Sequence, residues 1–520
     1  MAKIDSDWIR HGQTTGFSRR RLLAGIGSLA GIAALGLTAC APPAAPPVPA
    51  APTKPAAAAA PAEKPAEKPA PAAPTKPAAA AAPAEKPAEK PAPAAAAAVK
   101  SKEQVKITWW NNQPMARTQG LWEAVVKDIE DAVPNVKIET VIIPFNDFEP
   151  KIMAGLAGKN AGELIDVHPV HSFTFAMRGA LVDLNPYMKN LGFPESDYTN
   201  AWNYNKWKGK YWAIPRSDNT LVLLYNKKVI TEAGLPDPYT QYKEGKWDIA
   251  AWDKIMATVS KGEAEKRVFG ANIPGGGSLR QQCVWIWGAG GEIWNKDETE
   301  TLIAEEPALK AWEYMTSYVK NKWSPTPAEV NIPGGAVALM GQRRVIGDWP
   351  GAQFVLGGQA QFLPEAAQKE MHLVAMNKLW NGKSDVRNAT NSQGIYRDGK
   401  NRDDAWAAQA VTLSEKTQKK IIEARWTSPL RKSWLKSEMW LKSLNPNFEG
   451  PEMWEDAVSS VRYHSHLPRY IEIDQIVQTA YQSVLLNQKA VPQAMNEART
   501  AINKILKEVN AEADSSAFLK

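Results

Sequence analysis

The chain has 520 residues, with 62 Lys+Arg against 55 Asp+Glu and a formal net charge of +7. Residues 1–39 hold five basic and two acidic residues and residues 40–104 hold eight and five, which leaves 49 and 48 for residues 105–520. The bulk of the protein is therefore nearly neutral, which argues against nucleic acid as a partner, and two cysteines exclude a disulfide framework.

Residues 18–40 read SRRRLLAGIGSLAGIAALGLTAC. Arg19, Arg20 and Arg21 precede a glycine-diluted apolar run from Leu22 to Leu37, short for a bilayer-spanning helix of about 20 residues and suited to the core of an export signal. The run ends in Leu37-Thr38-Ala39-Cys40, which resembles a lipobox and makes Cys40 the expected lipidation site. The Ser18–Leu23 string resembles a twin-arginine signal. The competing reading, an uncleaved membrane anchor, leaves Cys40 and its small neighbours unexplained. With Cys40 acylated, Cys283 has no partner for an internal disulfide.

Residues 51–72 recur unchanged as residues 73–94, and 17 of the 39 prolines lie in residues 41–100. Ala, Pro, Lys and Glu offer no large apolar side chain for a core, and the prolines favour extended geometry. Residues 40–104 thus read as a disordered tether, reaching at most roughly 190 Å at ~3.1 Å per residue. Either its length matters more than its sequence, or the duplication is a replication accident.

From Val105 the texture changes. VKITWW is strand-like, Arg117 to Ala132 has helical spacing, VKIETVII alternates, Phe148 to Ala157 is helical, and ELIDV and FTFAMRGAL follow. The pattern resumes after TLVLLYN, with helices near 250–260, 307–320, 403–424 and 489–508. Strands alternating with helices predict an α/β protein with largely parallel sheets. The 416 residues from 105 to 520 predict two lobes.

Seven blocks in order then carry a family resemblance: VKITWWNN; ELIDVHPV with GALVDLNPYM; KGKYWAIPRSDNTLVLLYNKKVITEAGLPDP; WIWGAGGEIWNKD; GGAVALMGQRRVIGDW; SPLRKSW; and NQKAVPQAMNEARTAINKIL. Together they resemble the family 1 extracellular solute-binding proteins of bacterial ABC importers, the sugar-binding group, over about residues 105–508. The insert YTQYKEGKWD and the segment from Met371 to Asn391 depart from the pattern. The resemblance implies a two-lobed, type II periplasmic-binding-protein-like α/β fold with a hinge between lobes. One lobe is expected over about 105–218 and 376–425, the other over about 219–375 and 426–520. It implies a monomeric binder without catalysis or cofactor. Its partners are a carbohydrate, an oligosaccharide given the aromatic richness, and the permease subunits of an importer. Location follows: the outer face of the cytoplasmic membrane, held through acylated Cys40.

A carbohydrate site needs flat apolar faces and planar polar groups. Of the 21 tryptophans, 20 lie beyond residue 105, and any one chosen blind is more readily a packing residue. By resemblance Trp349 matches a stacking platform, with Asp348 bonding a hydroxyl pair or capping a turn. Trp110 and Asn112 end the first strand, where an open α/β sheet presents its crevice; adjacent Trp109 should face the other way and be buried. Asp166, His168 and His171 end another strand. His-x-x-His beside Asp could suggest metal, but this junction contains Pro169 and no helix aligns the imidazoles, so hydrogen bonding to ligand, or a structural turn, is expected instead. Arg216 at the lobe crossing either bonds ligand or stitches the lobes. Trp285 and Trp287, about 200° apart on a helix, can present at most one ring to a cleft. GAGGEIW does not complete a dinucleotide loop. Tyr463 and Arg469 fall where relatives bring side chains to the rim of the second lobe. Two alternatives stay open: an anionic polyol such as a glycerol phosphate or sugar acid, held by Arg343, Arg344 or Arg431, and a surface polysaccharide hydrolase or lectin.

Overall fold

The computed structural model describes residues 103–111, 119–273, 277–348, 363–388, 390–424, 427–443 and 452–520. The segments expected to be signal and tether, with Cys40, lie outside the described residues. So do Asn112 and Trp349.

Two sheets organise the chain. The larger is ordered β2-β1-β3-β11-β6, from β1 (Val105–Asn111), β2 (Val136–Ile142), β3 (Leu164–Val167), β6 (Ile214–Ser217) and β11 (Asn391–Ile395). The smaller is ordered β10-β7-β9-β8, from β7 (Leu223–Asn226), β8 (Phe269–Asn272), β9 (Val345–Asp348) and β10 (Met371–Val374). A separate hairpin pairs β4 (Lys206–Trp207) with β5 (Lys210–Tyr211). β1 runs parallel to β2 from Val105↔Val136 to Asn111↔Ile142, and parallel to β3; β11 enters antiparallel between β3 and β6. This is the expected two-lobed α/β architecture, each sheet the centre of one lobe.

Burial on both faces explains the composition of the strands. All four residues of β3 (LIDV) and of β7 (LLYN) are buried, as strands covered by helices on two sides require. The same cover corrects the reading of the first strand. Trp109 is buried as expected, but Trp110 is only 6% exposed. Its ring packs under the helix Phe145–Gly158, where a Cβ on Gly155 or Gly162 would collide with it, and Lys151 Nζ sits 5.5 Å from its centroid. Helix starts follow local signals: Asn226 accepts from Val229 N–H at 3.0 Å, and Asp248 from Ala251 N–H at 2.9 Å.

Inside the larger sheet, β3 is tied to β6 by an ion pair. Arg216 Nη2 donates to Asp166 Oδ2 at 2.7 Å, and Trp109 Nε1 donates to Asp166 Oδ1 at 2.7 Å. The guanidinium lies 5.0 Å from the Trp109 ring and 4.5 Å from the Trp122 ring. Both charged side chains are 1% exposed, so neither reaches a ligand.

Chain crossings link the sheets over residues 218–222 and 375–390. Asp218 draws them together. Its carboxylate accepts from Thr220 Oγ1 at 3.0 Å and from Asn388 Nδ2 on the other crossing. Its carbonyl accepts from Ser428 N–H at 2.6 Å and Thr427 Oγ1 at 2.8 Å. Thr390 Oγ1 donates to the Ser217 carbonyl at 3.2 Å. Burial pushes the Asp218 carboxyl up to about 6, against the pull of the hydroxyl and amide donors.

Arg216→Met strands the Asp166 carboxylate in the interior and should cost about 3–5 kcal/mol, whereas adding Asp166→Leu should recover much of the loss. Urea unfolding midpoints of the single and double variants check this; a single variant as stable as the parent would exclude the pair as a determinant of the sheet.

Candidate functional site

Between the lobes the helix Pro169–Met177, which follows β3, faces the helices Leu279–Gly288 and Tyr470–Leu485. Thr174 Oγ1 accepts from the Arg469 backbone N–H at 3.2 Å, and His168 Nε2 lies 3.1 Å from Arg280 Nη1. Beside these contacts runs a groove of about 600 Å³, lined by Glu149, His171, Arg280, Tyr470, Asp474 and Gln475 among others. A second volume of about 600 Å³ shares Glu149, Val170, Tyr470 and Gln475 with it and reaches Thr174 and Arg469. Each is of the size that small-molecule sites take.

The ends of strands position the polar groups, as open α/β sheets do. His168 and His171 follow β3. His171 Nδ1 lies 3.2 Å from Glu149 Oε2, and its ring stacks 5.6 Å from Phe175. That contact holds the Glu149 carboxyl below the usual range, against the opposing effect of burial. Asp348 ends β9 and accepts from Asn272 Nδ2 at 3.0 Å. Arg469, in the left-handed region at φ 63°, caps Tyr470–Leu485 and pairs with Glu472 and Glu508 at 2.7 and 2.6 Å. Its guanidinium is thus spent on the surface, and only its backbone meets the opposite lobe.

Deeper in, four rings gather on a network. His464 Nε2 lies 2.8 Å from Tyr470 Oη; His464 and His466 are 4.7 Å apart edge to face; His466 is 4.4 Å from Tyr470 and 5.5 Å from Tyr204. Tyr463 packs edge-on to Tyr204 at 4.8 Å, and burial pushes its hydroxyl well up. Burial, then Arg387 and Arg280, pushes the His464 imidazole down to about 3. His466 lies well below its ordinary value through burial and the neighbouring imidazoles His464 and His168. Burial and then Arg280 do the same to His168. The imidazoles are neutral at neutral pH.

The helix Leu279–Gly288 carries the two tryptophans named as ligand groups, of which at most one was expected at a cleft. Trp285 and Trp287 are both buried without exposure, Trp285 against Tyr314 at 5.3 Å and Trp287 between His464 at 5.8 Å and the Arg462 guanidinium at 4.9 Å. Neither ring faces the groove, because helices cover both sides of this one. Trp110, Asp166 and Arg216 are likewise interior, and Arg216 stitches one sheet rather than two lobes. Of the arginines named for an anionic ligand, Arg343 is taken by Glu370 and Arg431 by Asp197. The groups that sequence reasoning missed are Arg280, Arg387, Tyr204 and, as site residues, His464 and His466. No local pattern in the sequence marks them, since each acts through neighbours far along the chain. Among the described residues no group of three His, Cys, Asp or Glu is placed to hold a metal, and no helix is long and apolar enough to cross a membrane.

Comparison with known proteins follows the same lines. A family model described as bacterial extracellular solute-binding protein matches residues 124–444. A putative binding protein of Brucella abortus is 21% identical over 398 residues, 75% of this chain and 91% of the relative. Among solved structures, a Listeria monocytogenes ABC substrate-binding protein in complex with cycloalternan is similar at TM-score 0.67 and 19% identity, covering 78% of this chain and all of the other. The GacH receptor of Streptomyces glaucescens, solved unliganded and with acarbose, is similar at TM-score 0.65 and 17% identity, covering 78% and 99%.

The histidine network makes stability pH-dependent. Its folded values lie below the unfolded 6.5, so the unfolded chain binds the protons first. Stability is full above about pH 6.5 and falls on acidification toward pH 3, by up to about 1.4 kcal/mol per pH unit per imidazole. Melting temperatures across that window should show the fall, and His464→Gln should flatten it; an equal slope in the variant would remove His464 as its source.

Proposed function

The chain belongs to the bacterial extracellular solute-binding proteins, and from that premise we propose that it is the carbohydrate receptor of an ATP-driven importer, binding an oligosaccharide between its lobes and passing it to membrane permeases. The single observation that carries this reading is the groove between the two lobes, with polar groups from both converging on it beside a hinge. Glu149 and His171 contribute from the larger-sheet lobe, Arg280 and Tyr470 from the other, with His168 behind Arg280. The two adjoining volumes share one wall, which suits a ligand longer than a monosaccharide. Sugar ligands of the structural relatives, cycloalternan and acarbose, support the same class.

Binding energy would come from hydrogen bonds to hydroxyl pairs and from aromatic faces. Selection would come from closure, since a solute shifts the lobes toward the closed form only by binding it better than the open one. Nothing in this scheme breaks a bond, so the protein acts as a receptor and not as a hydrolase. Outside the described residues, the sequence supports Cys40 as the lipidated N-terminus after twin-arginine export, with residues 40–104 as the tether holding a monomeric receptor off the membrane. Asn112 and Trp349 stay proposed as ligand groups on the sequence reading alone, and Asp348 on its place at the end of β9.

Two outcomes test the reading. Calorimetry against a panel of mono- and oligosaccharides should find a binder, and Trp349→Ala should weaken it by about 1–3 kcal/mol without lowering the melting temperature; unchanged affinity removes Trp349 from the site. In a cell fractionation, Cys40→Ala should move the protein from membrane to soluble extract, and retention in the membrane would refute lipid anchoring through that residue.

A further inference from the structure

We propose that the saccharide taken by this cleft carries an acidic group, a carboxylate or a phosphate, held by Arg280 and Arg387. The inference deepens the carbohydrate-receptor reading and rests on it.

The buried arginines Arg216 and Arg387 and the half-buried Arg280 and Arg462 set the argument. Arg216, 1% exposed, has Asp166 at 2.7 Å. Arg462 has Glu292 at 2.6 Å and Asp385 at 3.3 Å. Arg387 is 7% exposed and has no carboxylate within salt-bridge distance among the described residues. Its Nη1 reaches only the Asn388 carbonyl at 3.4 Å, and its Nε has no hydrogen-bond partner among the described residues. Arg280, half-buried on the first turn of Leu279–Gly288, meets a neutral imidazole, His168, and no acid within salt-bridge distance among the described residues. A buried cation without a counter-charge costs several kcal/mol.

The surroundings leave that charge standing. Burial, followed by repulsion from Arg280, pushes the Arg387 guanidinium down to about 10. Of the groups that face the pair, His168, His464 and His466 lie below their ordinary value and Tyr204, Tyr470 and Cys283 above theirs, each through burial, while Asp474 attracts Arg280 across the groove. Two carboxylates lie near. Asp474 is engaged by the Ser278 hydroxyl, the Leu279 N–H and the Gln478 amide, and Glu149 by His171. The segments beyond the described residues, from residue 105 onward, contain one acidic residue, Glu449, and the stretches 112–118, 274–276 and 349–362 after β1, β8 and β9 contain none.

What fits two guanidiniums is a planar or tetrahedral oxyanion, which accepts forked hydrogen bonds from each. The position suits a receptor. Arg280 lines the groove, and Arg387 lies on the crossing next to Asn388, whose amide bonds Asp218. An anion there touches the cleft wall and the hinge together, so ligand charge would be read out as closure.

Calorimetry on the full chain decides it, at low and at moderate salt, with digalacturonate, glucose 6-phosphate and inorganic phosphate set against digalactose and glucose. At least one acidic saccharide should bind tenfold or more tighter than its neutral match, with the advantage shrinking as salt rises. Arg387→Met should bring the acidic-to-neutral ratio within twofold and raise the melting temperature of the ligand-free protein, since it removes an unpaired buried cation. Arg280→Gln, less buried, supplies the same ratio should the first variant fail to fold. Neutral sugars binding as well as or better than acidic ones would overturn the acidic-ligand inference and leave the carbohydrate receptor standing. No saccharide of either kind binding would overturn both, and inorganic phosphate binding as tightly as glucose 6-phosphate would overturn the saccharide part.

Discussion

The whole arrangement depends on a small set of hydrogen bonds around Asp218. Two sheets share one chain that passes between them at 218–222 and again at 375–390. A cleft exists only because those passages lie side by side, and they do so because one carboxylate accepts from Thr220 on the first and Asn388 on the second. Thr427 and Ser428 strap the same point from a third segment. Short polar side chains suit a hinge, since they hold position without packing so tightly that the lobes lock. Asp218 is also costly: burial raises its carboxyl, and the amide and hydroxyl donors only partly offset that.

Charge is treated differently in the sheet and at the cleft. In the larger sheet the buried cation has its carboxylate, with two mutually perpendicular indoles against the guanidinium. At the cleft and its crossing, Arg280 and Arg387 have no carboxylate within salt-bridge distance among the described residues, and the imidazoles of His168, His464 and His466 are kept neutral. An interior that satisfied itself everywhere would have nothing to offer a solute.

Much was legible in the chain before any coordinates. The order of strands and helices, the covered sheets and the family resemblance all come from patterns local to ten or fifteen residues, where side-chain period and burial are directly coupled. The candidate site was legible only in part. His168 and His171 follow a strand end, which sequence can mark. Arg387 sits in the segment that resembled nothing clearly, and its proposed role rests on having no carboxylate within salt-bridge distance among the described residues, which no local pattern records. Tryptophan richness misled in the same way: Trp285 and Trp287 look like sugar platforms in a string and are core residues in space, because the helix that bears them is covered on both sides.

The near-neutral total of residues 105–520 argued against nucleic acid as a partner, and it is a true property of the sequence. It averages over paired and unpaired charges, however. Sequence alone determined the duplication of residues 51–72, the α/β class and the family, because each is written in contiguous residues or in their composition. Only the tertiary structure decided which charges cancel. Pairing depends on distances of a few ångströms between residues 50 or more positions apart, such as Asp166 with Arg216, and on burial that removes the screening of water.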